Sequence, residues 1–358
     1  MTDLGSRALS VTPLHARTAE LCATNNWTEQ QGFTVPALYA SLREEHEALS
    51  ERVALSDLSA RQCWVFDGPD AAAFLSFATL ADVTRLEIGQ TAHTLWCDDQ
   101  GFVRGEGVIA RFAPAQFELS TIVRDLAWMI DAVKGFDLKL TNVTGTRAII
   151  GVRGPFASML LAVAGFAGEP GGAGSVTRPA WRPAQVALTR NADGLELSSQ
   201  ADDGAVVWDR LWRAGAGLGI AAVGATALET FRIEMATPRP GIDWRPAQLA
   251  KDAADLRLPT DLGQFPDLTR RFNGADALRR ITTQGRQVLV HFTADEPLSP
   301  GPLTARNTAI GRLTSCTWSE SQASAFALGW LDADSVKPGT KLQAQGGRAE
   351  ILKTVFAV

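Results

Sequence analysis

Apolar residues recur at helical spacing in some stretches of the chain and at strand spacing in others. Over 36–52, Leu38, Leu42 and Leu49 fall at near-helical intervals with charges on the other faces, which predicts a helix. A strand follows at 62–66. Asp67-Gly68-Pro69-Asp70 is a turn with helix-start chemistry ahead of an apolar helix at 71–78. Strands are predicted at 90–98 and 101–111, with a turn at Asp98-Asp99-Gln100-Gly101, and again at 117–122. A helix at 124–134 places Leu126, Ile130 and Val133 on one face, and strands at 138–143 and 146–153 complete the unit. That order predicts an α+β module of ferredoxin type, with helices on one side of an antiparallel sheet.

Gly154-Pro155-Phe156 opens a helix over 155–164, and the Gly- and Pro-rich stretch 165–182 reads as a loop. Strands at 186–190 and 195–199 form a hairpin around Asn191-Ala192-Asp193-Gly194. A helix at 206–214 runs into Gly215-x-Gly217-x-Gly219. Because these glycines follow a helix and not a strand, they read as its C-terminus and not as a dinucleotide fingerprint. Residues 245–268 form a connector. From 281 short strands at 286–293, 309–317, 325–331, 341–344 and 349–355 predict a small barrel or jelly-roll-like sheet.

Composition narrows the function classes. A chain of 358 residues suits two or three domains. A net charge of −5 offers no basic surface for nucleic acid. The longest apolar run, 157–167, falls short of the ~20 residues of a membrane span. The start, Met1-Thr2-Asp3-Leu4-Gly5, has neither a basic nor an apolar leader segment, so a cytoplasmic location is expected. Cys22, Cys63, Cys97 and Cys316 are dispersed and read as free buried thiols. The four histidines have no ligand spacing, so no metal site is expected and each reads as a surface or capping residue. Tyr39 is the sole tyrosine, so a tyrosine acid would have to be that one.

Short motifs then appear in a fixed order. They are Thr12-Pro13-Leu14; Gly32, Pro36, Tyr39 and Glu45-His46; Leu55-Ser56-Asp57-Leu58-Ser59; Gly68-Pro69-Asp70-Ala71; and Ala81-Asp82-Val83 with Leu86 and Gly89-Gln90. Phe231-Arg232-Ile233-Glu234, Pro240-Gly241-Ile242-Asp243, Leu262-Gly263, Asp267-Leu268, Phe272-Asn273-Gly274 and Ala277-Leu278 follow. Together they resemble the glycine-cleavage T-protein (aminomethyltransferase) superfamily over nearly the whole chain. Ala60-Arg61-Gln62 and the 262–278 segment lean toward its folate-dependent demethylase branches. At the place of the cysteine motif of the iron–sulfur-assembly branch stands Arg270-Arg271-Phe272-Asn273-Gly274, which argues against that branch.

The resemblance implies a three-domain clover leaf. A discontinuous first domain takes 1–50 plus 145–245, and a ferredoxin-like insert takes 51–144. A connector covers 246–280, and a C-terminal β-barrel or jelly-roll domain covers 281–358. It also implies tetrahydrofolate in a central channel, with a methyl or aminomethyl group moved between it and a small-molecule donor. No sequence feature identifies a protein partner.

The same resemblance assigns the site. Glu106 stands where the family has a carboxylate facing the reacting nitrogen of folate. A fixed negative charge there stabilises the cationic nitrogen or sulfur through which one-carbon transfer passes. Glu196, in Asp193-Gly194-Leu195-Glu196, matches the residue that holds the pterin, whose amide and amino donors suit a carboxylate. Glu234 and Asp243 are assigned to the cofactor channel, which they shape. Arg232 and Glu234 are alternatively an ion pair between domains. The chain departs from the family pattern at two places: Arg190-Asn191-Ala192 leads straight into Asp193 where a tyrosine-bearing segment is expected, and Ala227 is followed by Leu228 where an arginine is expected. Two other classes therefore stay open, a non-catalytic folate-binding or accessory protein and a folate-independent enzyme reusing the channel.

Overall fold

Five antiparallel strands build the first sheet, in the spatial order Thr91–Cys97, Val103–Ala113, Gln116–Thr121, Gln62–Asp67 and Lys139–Asn142. The computed structural model describes residues 9–166, 172–191, 194–281, 287–306 and 308–356. The last four strands have the ferredoxin-type order, and Thr91–Cys97 adds an edge. Helices Ala71–Ala78 and Leu126–Ala132 accompany this sheet, and Phe66, Phe74, Trp96, Ile109, Phe117 and Leu119 form its core. Along Val103–Ala113, Val103, Gly105 and Gly107 are buried while Arg104, Glu106 and Val108 are half-buried. Glu106 therefore points away from the helix-packed core. Gly105 lies under the indole of its cross-strand partner Trp96, where a Cβ would collide with the ring.

A second sheet has six strands, ordered Ser175–Thr177, Ala187–Asn191, Gly194–Gln200, Arg147–Arg153, Val53–Asp57 and Ile220–Ala222. Leu55, Ile150, Val152, Leu195 and Leu197 turn one face to Leu160, Leu161, Trp208 and Leu211 of helices Ala157–Ala164 and Gly204–Ala214. The strand predicted at 146–153 does not complete the first unit. It pairs instead with Gly194–Gln200 on one side and Val53–Asp57 on the other. Six of its seven residues are buried, and such an apolar run carries no periodic signal of which sheet will receive it.

The helix expected over 36–52 begins later. Phe33–Leu38 is a strand, and the helix spans Leu42–Glu51. Ser41 caps it by accepting from the Glu44 N–H at 3.2 Å. The Glu45 carboxylate accepts from the backbone N–H groups of Tyr39, Ala40 and Gly224, tying this turn to the start of helix Ala225–Glu234.

The C-terminal strands close into a barrel in the order Gln287–Ala294, Ser324–Asp332, Thr308–Ser319, Ser299–Ala305, Lys341–Gln345 and Gly347–Thr354. Ser299–Ala305 has no counterpart in the sequence reading, because Pro300 and Pro302 suggest a turn. The strand accommodates them beside register shifts against both neighbours. Residues 192 and 193 of the predicted hairpin turn, the predicted strand start at 286, and residues 1–8 lie outside the described residues. Among the described residues no helix is long and apolar enough to cross a membrane.

The three parts meet around one apolar knot. Leu95, Cys97 and Val103 of the first sheet join Trp244, then Leu262, Phe272 and Ala275 of the connector, and Leu289 and Trp330 of the barrel. Leu95 is the cross-strand partner of Glu106, so Glu106 shares the sheet face that looks toward this junction.

Candidate functional site

Glu196 lies on Gly194–Gln200 opposite Gly151. Its neighbours Leu195 and Leu197 enter the helix-packed core, so Glu196 and Ser198 face the other way. The Arg61 Nη1 donates to Glu196 Oε1 at 2.7 Å. Among the described residues no donor reaches Oε2. Gly151 supplies no side chain of its own, and a Cβ there would crowd the Ser56 hydroxyl, the Arg153 guanidinium and Leu58. Glu196 is thus a held, mostly buried carboxylate with an open acceptor beside a glycine floor. A carboxylate so placed can accept a further N–H donor at Oε2.

Glu106 carries its charge on the inner face of the first sheet, with a side chain 21 % exposed. His93 Nε2 stands 3.6 Å from Glu106 Oε2. His93 Nδ1 is in turn 3.3 Å from the Gln264 amide nitrogen of the connector. Arg104 is committed elsewhere. Its guanidinium makes two bonds, of 2.7 and 2.6 Å, to Asp125, which also accepts from the Trp96 indole.

The two inner faces oppose each other. Val65 and Glu118 of the first sheet and Arg147, Ser198 and Gln200 of the second line one cavity of about 1040 Å³. Arg147 and Glu118 form an ion pair across it at 3.5 Å. Glu106 and Glu196 are not among its lining residues. Each stands on the same inner face as one wall, Glu196 one pleat beyond Ser198. Neither carboxylate opens into this cavity.

Glu234 does not pair with Arg232. Its Oε2 lies 2.6 Å from His46 Nε2, and its buried Oε1 has no hydrogen-bond partner among the described residues. The bond to Glu234 raises the His46 pKa against the opposing effect of burial. Arg232 binds Asp243 at 2.7 Å and also pairs with Glu229. Asp243 is saturated. Oδ2 accepts from Arg232 and the Arg239 N–H, while Oδ1 accepts from the hydroxyls of Thr314 and Ser315. With four donors on two oxygens it fixes the barrel to helix Ala225–Glu234.

His46 and His291 are buried, 5 % and 4 % exposed, and so are not the surface residues expected. Burial lowers the His291 pKa to about 4. Tyr39 is buried, and burial raises its pKa, which makes it a weaker acid than a free tyrosine. The four thiols are free. Burial pushes Cys63 up to about 12, and Cys316 likewise to about 12. Among the described residues no group of three His, Cys, Asp or Glu side chains is placed to hold a metal ion.

Sequence reasoning missed the partners. Arg61 and Glu196 are 135 positions apart, as Gln264 and His93 are 171 apart, and no spacing rule connects such residues.

Comparison with known proteins adds the following. The model of the family described as "GCVT N-terminal domain" matches residues 14–254. The aminomethyltransferase of Streptomyces coelicolor is 27 % identical over 356 residues, covering 94 % of this chain and 93 % of that protein. The aminomethyltransferase of Corynebacterium aurimucosum is 28 % identical, with 78 % of this chain and 76 % of that protein covered. The crystal structure of the glycine cleavage system aminomethyltransferase T from Bartonella henselae superposes with a TM-score of 0.82 at 21 % identity. It covers 98 % of this chain and 97 % of that one, and so shares its fold.

Proposed function

The chain belongs to the GCVT N-terminal domain family, and from that premise we propose that it is a tetrahydrofolate-dependent transferase, moving a methyl or aminomethyl group from a small donor in the cytoplasm. The observation that carries this reading is Glu196, a buried carboxylate held at Oε1 by Arg61 and open at Oε2, beside the bare backbone of Gly151. Tetrahydrofolate, when bound, supplies the nitrogen that accepts the one-carbon unit. Glu196 would hold the pterin edge, and the orphaned Glu234 Oε1 offers a further acceptor. Glu106 would place a fixed negative charge against the cation that forms during transfer. His93, held by Gln264, limits where that carboxylate can swing and can carry a proton at Nε2 beside it.

Calorimetric titration tests these roles. The parent should bind tetrahydrofolate, and Glu196→Ala should lose about 10- to 100-fold in affinity, as expected for a charged hydrogen bond of ~1.5–3 kcal/mol. Glu106→Ala should bind as the parent does yet transfer nothing from a panel of methylated-amine, sulfonium and aminomethyl donors. Parent-like binding by both variants together with parent-like turnover would sink the assignment. The Arg61–Glu196 pair favours a second reading, in which the scaffold persists but a guanidinium has taken the pterin's place. Absence of binding in the parent would establish that reading instead.

A further inference from the structure

The cavity between the two sheets has a chemistry of its own. Three arginines, Arg147, Arg178 and Arg182, line it against the single carboxylate of Glu118, in a chain whose net charge is −5. Arg147 is engaged with Glu118. Arg178 lies over the Phe112 ring, its guanidinium carbon 4.7 Å from the centroid, which orients the fork. Neither Arg178 nor Arg182 has a carboxylate partner within ion-pair distance among the described residues. On the apolar side stands Trp181, backed by Phe166 at 5.0 Å between ring centroids.

We propose that this cavity binds a compact organic polyanion, a molecule with at least two carboxylate or phosphate groups and an apolar body. Guanidinium forks recognise both anions in a bidentate way. A volume of about 1040 Å³ is far more than a single inorganic ion fills and matches a small-molecule pocket. The ion pair of Arg147 with Glu118 sets the floor; Arg178 also acts on the Glu118 charge, and three guanidinium charges outnumber that one carboxylate along the lining. Because Arg178 and Arg182 are exposed, the site can be removed without touching the core.

The test is titration of the full chain with citrate, a γ-linked triglutamate peptide and fructose 1,6-bisphosphate, each against sodium chloride of matched ionic strength. The three probes separate carboxylate from phosphate sources. At least one should bind the parent, and the Arg178→Ala/Arg182→Ala double variant should lose about tenfold or more in affinity. Glu196→Ala should bind that probe as the parent does, which keeps the outcome separate from that of the folate reading. No binding by any probe, equal affinity in the double variant, or loss in Glu196→Ala with retention in the double variant would each overturn the proposal.

Discussion

A methyl group added at Gly151 would stand 2.7 Å from Arg153 Nη1 and 2.8 Å from Leu58 Cδ1, and would press on the Ser56 hydroxyl as well. Ser56 and Arg153 sit on two adjoining buried strands, with Leu58 just past the end of one, so these groups cannot all move aside. Gly151→Ala should therefore cost about 1–3 kcal/mol of stability, the usual range for overpacking, and should weaken folate binding by disturbing the floor opposite Glu196. Urea unfolding midpoints check the first effect and titration the second; a parent-like midpoint would show that the strand tolerates the change. At this scale the sequence singles out Glu196 and Glu106 as candidates through short motifs. It could not disclose Arg61, His93 or Gln264 as their partners, since those contacts exist only once two sheets and a connector have come together.

The elements carry the pH dependence. His46, on helix Leu42–Glu51, meets Glu234 at the end of helix Ala225–Glu234, with Ser321 of the barrel near its other nitrogen. Glu51 and Glu47 act on it from its own helix and its end, also raising the pKa. A histidine whose folded pKa is raised contributes stability below its unfolded value, ~6.5, and loses that contribution as pH rises through the folded value. His291, on Gln287–Ala294, behaves oppositely. Its pKa falls to about 4, so the native state stays neutral while the unfolded chain takes up a proton as pH drops below ~6.5. Thermal midpoints of Glu234→Gln should lose most of the decline seen above neutrality, and those of His291→Leu should fall less between pH 6.5 and 4 than the parent's. A variant with the parent's profile would remove its pair from the account. The elements themselves were largely legible, because helices such as Ala71–Ala78 and strands such as Thr91–Cys97 carry clear periodicity or turn signals. Arg147–Arg153 was assigned to the wrong sheet, since a nearly all-buried strand has the same apolar run wherever it docks. Ser299–Ala305 was lost to its prolines.

For the whole molecule, Asp243 is the charge on which the barrel's attachment turns. Its side chain is fully buried, and its partners come from helix Ala225–Glu234, from the segment that follows it and from strand Thr308–Ser319. Asp243→Ala leaves Arg232 without that buried partner and the Ser315 hydroxyl without its acceptor, while Thr314 keeps the Leu328 carbonyl, so a loss of about 3–5 kcal/mol is expected. Ser315→Ala, which removes one neutral donor, should cost about 1 kcal/mol. Equal losses in the two variants would deny Asp243 that role. The architecture of insert and barrel was readable from the order of the motifs. The arginine-lined cavity was not, because Arg147 lies in a different stretch from Arg178 and Arg182, and only the folding of the second sheet beside the first brings them to one cavity with Glu118.

The central claim is that Glu196 receives the cofactor and Glu106 faces the nitrogen where transfer occurs. A crystal structure of the parent chain grown with tetrahydrofolate tests it most directly. The account predicts the pterin edge within hydrogen-bond distance of Glu196 Oε2, with its reacting nitrogen turned toward Glu106. A pterin bound elsewhere, or Glu196 Oε2 left without a pterin donor in a folate-bound crystal, would contradict it.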